Sequence, residues 1–361
     1  MVPVTESRVS VYTIPTHGPE SDGTLEWTST TIVIVEVSAG QVTGLGYTYG
    51  HKAVATLAAD LLLPLVRGRN AMDIAGSWIA MTRAIRNQGR PGISSMAIAA
   101  VDAALWDLKA RLLHVPLVTL LGAARDAVPV YGSGGFTSYT VDQLQHQLAA
   151  WADRGITAVK MKVGRHPDED GFRVRMAREA IGASTALFVD ANGAYTARQA
   201  LTLAQGFAES GATWFEEPVS SDDLEGLRFV RERAPTGMDI AAGEYGYDEY
   251  YFRRMLDAGA VDVLQADATR CAGITGFMQV AALCDAYNVP LSAHTAPALH
   301  AHPCCASGRI RHLEYFHDHE RIERLLFDGA LEPTSGMLRP DLSRPGFGVE
   351  LKRADASRYA A

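Results

Sequence analysis

From Ala127 onward the chain alternates short apolar runs with amphipathic segments, and the apolar run recurs eight times. The runs lie near 127–133, 157–163, 186–190, 212–216, 238–244, 261–267, 289–294 and 311–316, so successive starts fall 22 to 30 residues apart. Between them, Gly171–Ile181 sets Phe172, Met176, Ala177, Ala180 and Ile181 on one stripe, and Ala197–Phe207, Leu224–Arg233 and Ile274–Tyr287 behave likewise. Eight units of strand and helix at this spacing are what an eightfold β/α barrel requires. An open doubly wound sheet is the competing architecture, and it usually carries a glycine-rich phosphate loop after its first strand. Here that position holds Gly132-Ser133-Gly134-Gly135, which lacks both the P-loop lysine and the dinucleotide spacing. The barrel is therefore expected.

The residues before the repeat follow a different plan. Val9–Ile14, Thr31–Val37 and Gln41–Tyr47 have strand character, and Ser38-Ala39-Gly40 suits a hairpin turn. Helical patterns follow over His51–Val66, Ala71–Arg86 and Ser94–Leu113, the last with Ile98, Val101, Leu105, Leu108 and Leu112 three or four apart. Gly122 is a stop signal after Leu117. The expected organisation is an α+β domain over 1–125, the barrel over 126–325, and a Pro- and Gly-rich segment over 326–361 that packs back on the first domain.

Composition narrows the function. With 47% hydrophobic and 20% charged residues the chain has ample core material. Lys and Arg number 33 against 41 Asp and Glu, a net charge of −8, which argues against nucleic acid as a partner. No apolar run reaches the roughly 18–20 residues of a membrane helix. Met1–Pro15 lacks a basic-then-apolar signal pattern, and the cysteines at 271, 284, 304 and 305 make no disulfide framework. A reducing cytoplasm is the expected location.

The ends of the apolar runs carry the chemistry. The second ends in Lys160-Met161-Lys162, the third in Asp190, the fourth in Glu216-Glu217-Pro218 and the fifth in Glu244. The sixth ends in Asp267 and the seventh in His294, and the eighth contains Glu314. Any one of these alone could be a solvated loop residue. As a set they occupy the C-terminal edge, where barrel enzymes hold their active sites. Asp190, Glu216 and Glu244 come from adjacent strands about 4.8 Å apart and would repel one another. They either pair with Lys or Arg or hold a divalent cation, and all-oxygen donors favour Mg²⁺. Lys160 and Lys162 face the same side of their strand, and two such ammonium groups would depress each other's pKa and leave one amine as a base. Asp267 can orient His294 as a general acid or base. A carboxylate substrate between these groups would lose its α-proton, the metal countering the charge that builds on the carboxylate. A barrel that merely binds a carboxylate would not need acid/base groups on two sides.

These residues, with the helix Ala97-Ile98-Ala99-Ala100-Val101-Asp102-Ala103-Ala104-Leu105-Trp106-Asp107-Leu108, give the chain a resemblance to the enolase superfamily, mandelate racemase subgroup, over nearly its whole length. The resemblance implies a modified (β/α)7β TIM-type barrel, an N-terminal α+β capping domain completed by the C-terminal tail, and a strand eight that feeds the tail directly. It implies Lys162 as base on one face of the substrate, with Lys160 lowering its pKa and contacting the carboxylate. His294, oriented by Asp267, acts on the other face, and Glu314 is protonated and donates to a carboxylate oxygen. Asn192 falls where such enzymes contact substrate. Specificity is expected in the cap loops Thr16–Trp27 and Tyr47–His51, with His17, Glu20, Trp27, Tyr49 and His51 as candidates, and in Gly132–Gly135, Gly135 above all, with Ser138. Ring-making relatives carry a lysine at the end of the sixth barrel strand, whereas Gln265–Arg270 has none, which argues against those branches. His300, His302, His312, His317 and His319 are read as helix and loop residues and not as a zinc site. The implied activity is Mg²⁺-dependent dehydration of an acid sugar to a 2-keto-3-deoxy acid. A racemase or epimerase of a 2-hydroxy acid is the alternative. The implied assembly is a homo-oligomer, dimer or octamer.

Overall fold

A computed structural model describes residues 1–361. Three antiparallel strands come first: β1 (Glu6–Ser21), β2 (Glu26–Ala39) and β3 (Val42–Tyr49). Gly40, at φ 62°, makes the β2–β3 turn, a conformation that glycine enters without steric cost. Pairing of β1 with β2 runs well past the β-branched stretch. After a register break between Pro15 and Glu20 it resumes as Glu20↔Trp27 and Ser21↔Glu26. Much of the expected loop Thr16–Trp27 is thus the far end of a long hairpin, because extended backbone keeps satisfying itself across the break.

That sheet packs on the helix Ile93–Leu112, whose residues from Ala97 to Leu105 are all buried. Two glycines on β3 make the approach possible. A Cβ added at Gly46 would lie 2.2 Å from the Ala100 carbonyl oxygen, and one at Gly44 2.3 Å from that of Ala104. Gly46→Ala is expected to cost about 1–3 kcal/mol by overpacking. A lowered midpoint in thermal unfolding would show it. The helix expected over His51–Val66 runs unbroken from Ala53 to Val66, with a π-type turn at Ala58–Leu62 inside it. Pro64 is the cause, since it has no N–H to donate back to residue 60 and its ring crowds that carbonyl.

The barrel strands are β4 (Val128–Gly134), β5 (Ala158–Lys162), β6 (Ala186–Asp190), β7 (Ala212–Glu216), β8 (Asp239–Ala242), β9 (Val263–Ala266), β10 (Leu291–Ala293) and β11 (Ile310–Phe316). Each pairs parallel to the next, and β11 pairs with β4 through Leu313↔Val130 and Glu314↔Tyr131, which closes the sheet. An open doubly wound sheet would leave those two strands as edges. Strand alternation divides the residues. On β6, Leu187 and Val189 join the large outer core while Phe188 points inward, and on β7 Trp214 does the same. Tyr131, Phe188, Trp214 and His312 plug the interior, with Phe188 and Trp214 stacked at 5.3 Å between ring centroids. Two residues further along the same strands the inward positions become Asp190 and Glu216.

After β11 the chain does not pass straight into the tail. A helix, His317–Leu326, follows at once and lies in the seam with the N-terminal sheet. Thr30 donates to Asp318, Tyr47 donates to Glu323 at 2.6 Å, and Arg321 donates to the Pro15 carbonyl at 3.0 Å. The tail then runs along the first domain. Buried Asp107 accepts from Leu45 N at 2.8 Å and from Phe347 N at 2.7 Å, and Arg353 pairs with Glu36. All four cysteines are buried and free, and no helix is long and apolar enough to cross a membrane.

Candidate active site

The inward positions at the ends of β6 and β7, and the residue just beyond β8, bring Asp190, Glu216 and Glu244 together. One carboxylate oxygen from each lies within 4.8 Å of the others, and all three side chains are buried. Water cannot screen them there, so neighbouring groups must. Lys160 bridges Glu216, Glu314 at 2.9 Å and Asp190 at 3.3 Å, and Lys162 holds Asp190 at 2.5 Å. Trp214 of the plug donates to Glu216 at 2.9 Å. Glu244 receives Arg270 at 3.3 Å, and its second oxygen, Oε2, is buried without a hydrogen-bond partner. Three convergent carboxylates, one with an orphaned oxygen and none near a thiolate, suit a hard divalent cation such as Mg²⁺.

Neighbouring charges shape the protonation of these groups. Burial, and more weakly Lys160, disfavour the Lys162 ammonium, but Asp190, Glu244 and Glu216 outweigh them and hold its pKa above the ordinary lysine value. Lys160 thus lowers the amine's pKa, but the carboxylates on which the two lysines rest outweigh it. Glu314, implied by the resemblance as a neutral acid, sits beside the Lys160 ammonium at 2.9 Å. Burial pushes its carboxyl up, yet Lys160 first, with His294 and Lys162, brings it down to about 2. Asp190 is likewise held low, burial being overcome by Lys162 and Lys160, whereas burial and the neighbouring Asp190 push Glu216 up.

His294 stands across from the lysines. Its Nδ1 bonds Asp267 at 2.8 Å, and its Nε2 lies 3.4 Å from Glu244 and 3.6 Å from Glu314. Hydrogen bonding of Nδ1–H to a carboxylate leaves Nε2 to exchange protons. Burial raises the Asp267 carboxyl, but His294, then His300 and Arg270, hold it low, so it serves as the anionic partner.

A cavity of about 440 Å³ opens above these groups, between the barrel mouth and the N-terminal hairpin. Lys162, Glu244, His294 and Glu314 line it, and so do the expected contacts Asn192, Trp27, Tyr49 and His51. Asn192, at φ 45°, donates its backbone N–H to Asp190 at 2.9 Å, and its Oδ1 is buried without a partner. Trp27 uses its indole N–H on Glu20 at 3.1 Å.

Other candidates lie elsewhere. His17 falls in the register break of the hairpin and lines a separate cleft of about 510 Å³ with Ser138 and His317. Gly135 does not line the cavity, because its backbone is already committed: its N–H goes to Gln147 at 2.7 Å and its carbonyl accepts from Lys162 N at 3.0 Å. At φ 56° it is a turn that fixes the lysine strand. Ser138 donates to the Pro19 carbonyl and so ties down the hairpin.

Arg270, Tyr245 and His319 also line the cavity and were not among the expected contacts. Arg270 contacts both Glu244 and, at 3.6 Å, Asp267, joining the carboxylate cluster to the imidazole pair. A cation three residues after Asp267 was its visible signal. His319 stacks on Tyr49 at 3.5 Å between ring centroids, and only the placement of the last helix brings it there.

Comparison with known proteins agrees with this arrangement. The family model "Mandelate racemase / muconate lactonizing enzyme, N-terminal domain" matches residues 8–122, and "Enolase C-terminal domain-like" matches 143–356. The 3,6-anhydro-alpha-L-galactonate cycloisomerase of Streptomyces coelicolor is 37% identical, covering 98% of each chain. The L-talarate/galactarate dehydratase of Salmonella typhimurium is 31% identical over 86% of this chain and 80% of its own. Among solved structures, a mandelate racemase/muconate lactonizing enzyme-like protein from Rubrobacter xylanophilus superposes with TM-score 0.98 at 55% identity, covering 99% and 100%. A racemase from Streptomyces coelicolor with bound magnesium gives TM-score 0.93 at 33% identity, with the same coverage. Cycloisomerases of sugar-acid derivatives thus stand beside dehydratases among the relatives that this chain is similar to.

Proposed function

The chain belongs to the enolase superfamily, in its mandelate racemase/muconate lactonizing enzyme group, and from that premise we propose that it removes the proton α to the carboxylate of an acid sugar and expels the oxygen on the β-carbon. The observation that carries this reading is the opening of Lys162 and of the Asp267-bound His294 into one cavity beside three convergent carboxylates. Mg²⁺ held by Asp190, Glu216 and Glu244 supplies positive charge against the substrate carboxylate when bound.

The chain's own residues do the rest. Lys162 takes the α-proton once its amine is neutral. Asp190 is its nearest anion, so engaging that oxygen elsewhere withdraws the strongest attraction that keeps the amine protonated. Asn192, which lines the cavity, orients the substrate carboxylate, and the wholly buried Lys160 holds Asp190, Glu216 and Glu314 in place. The electron pair from the α C–H bond forms the new double bond as the β C–O bond breaks, and His294 Nε2 protonates the departing oxygen. Ketonisation of the resulting enol gives the 2-keto-3-deoxy acid. With a free β-hydroxyl the oxygen leaves as water, which is dehydration. In a 3,6-anhydro acid the same oxygen stays tethered, and the product is an isomer; the cycloisomerase relative favours keeping this second outcome.

Incubation with Mg²⁺ and candidate sugar acids in deuterium oxide tests the proposal. Deuterated 2-keto products are expected, lighter by one water or isomeric with the substrate. Exchange with inversion at the α-carbon and no elimination would instead establish a racemase.

A further inference from the structure

Building on that reading, we infer that the substrate is a monocarboxylate whose far end is an uncharged polyol or ring, not a dicarboxylic sugar acid. The inference comes from the wall opposite the carboxylate cluster. The cationic side chains of lysine or arginine that line the cavity are Lys162 and Arg270, both at the barrel end. Both are spoken for, Lys162 by Asp190 and Arg270 by Glu244 and Asp267. Two further cations near the hairpin are paired as well, Arg165 with Glu26 at 2.9 Å and Arg321 with Asp318 at 2.5 Å.

The far wall is instead built from Leu25, Trp27, Ser29, Tyr49, His51 and His319. The Tyr49 hydroxyl is buried and has no hydrogen-bond partner. Nδ1 of His51 accepts from Ala53 N at 3.2 Å, and Nδ1 of His319 accepts from Ala296 N at 3.4 Å. A ring nitrogen that accepts carries no proton, so the His319 imidazole is a neutral ring with its hydrogen on Nε2. Burial, and next the nearby His294, push the pKa of His319 well below the usual histidine value, which agrees with that state. Neutral donors and acceptors of this kind match sugar hydroxyls. A second carboxylate at the same place would be stripped of water with no cation to meet it, next to the Asp22 carboxylate that also lines the cavity.

The test is a panel of matched mono- and dicarboxylic sugar acids, such as galactonate with galactarate and gluconate with glucarate, assayed with Mg²⁺ for both α-deuterium exchange and turnover. The monoacids are expected to lead in kcat/KM by about 100-fold or more. Turnover of a diacid as fast as its monoacid partner overturns the inference while leaving the proposed chemistry standing. No α-exchange in any acid removes the chemistry itself, and this inference falls with it. Ser29→Arg, on an exposed strand position, gives a second reading. It is expected to move the diacid-to-monoacid ratio upward by about 10-fold in the folded protein, and an unmoved ratio counts against the far-wall assignment.

Discussion

His294→Asn is expected to lower kcat on the true acid sugar by about 10³-fold, the size of a lost general acid. Asparagine approximates the shape of the imidazole and can still bond Asp267, so the fold and the carboxylate cluster should survive. What is lost is a group that passes a proton through Nε2, the atom 3.4 Å from Glu244 and 3.6 Å from Glu314. The variant also separates the two proton transfers. If Lys162 takes the α-proton, His294→Asn should still wash deuterium into the α-position while expulsion of the β-oxygen stalls. Lys162→Ala should abolish exchange and turnover together. Full turnover by His294→Asn would sink the role given to the imidazole, and persistent exchange in Lys162→Ala would move the base to another residue.

Asp190→Asn should remove activity by a different route, and thermal unfolding can follow it without any substrate. Altering groups that merely support metal ligands costs about 10–100-fold in metal affinity. Deleting the charge of a ligand is therefore expected to cost more than about 100-fold. Mg²⁺ at 100 times its dissociation constant stabilises the native protein by about 2.7 kcal/mol, so the wild-type melting temperature should climb with added Mg²⁺ and fall back with EDTA. In Asp190→Asn that climb should vanish over the same range. The variant should also melt earlier without metal, because Lys162 keeps its burial and loses the carboxylate at 2.5 Å. Breaking one side of a buried pair costs about 3–5 kcal/mol. An Mg²⁺ response equal to wild type would show that the cation binds elsewhere.

The barrel strands were legible because their signal is local. Apolar runs such as Leu187-Phe188-Val189 and Thr213-Trp214-Phe215 mark buried parallel strands, and the observed β6 and β7 match the expected spans residue for residue. The hairpin was less legible. Its continuation from Glu20 to Trp27 depends on backbone pairing across a register break, which side-chain pattern does not report. His17 was misplaced for that reason, and Gly135 because its role is a backbone turn. His319 was read only as a helix or loop residue, since its place in the site comes from stacking on Tyr49 from a helix some 270 residues further along the chain.

Period-two alternation along a strand, and the direction in which each strand runs, are properties of short stretches. The amino-acid order therefore settled by itself that Lys162, Asp190, Glu216 and His294 sit at one end of a barrel and face inward. Which of them touch, and in what state of charge, came only with closure. Ion pairing decays over a few ångströms through space, and those distances are set by β11 meeting β4 and by the hairpin folding over the mouth. That is why each of the two lysines is found resting on an acid from another strand.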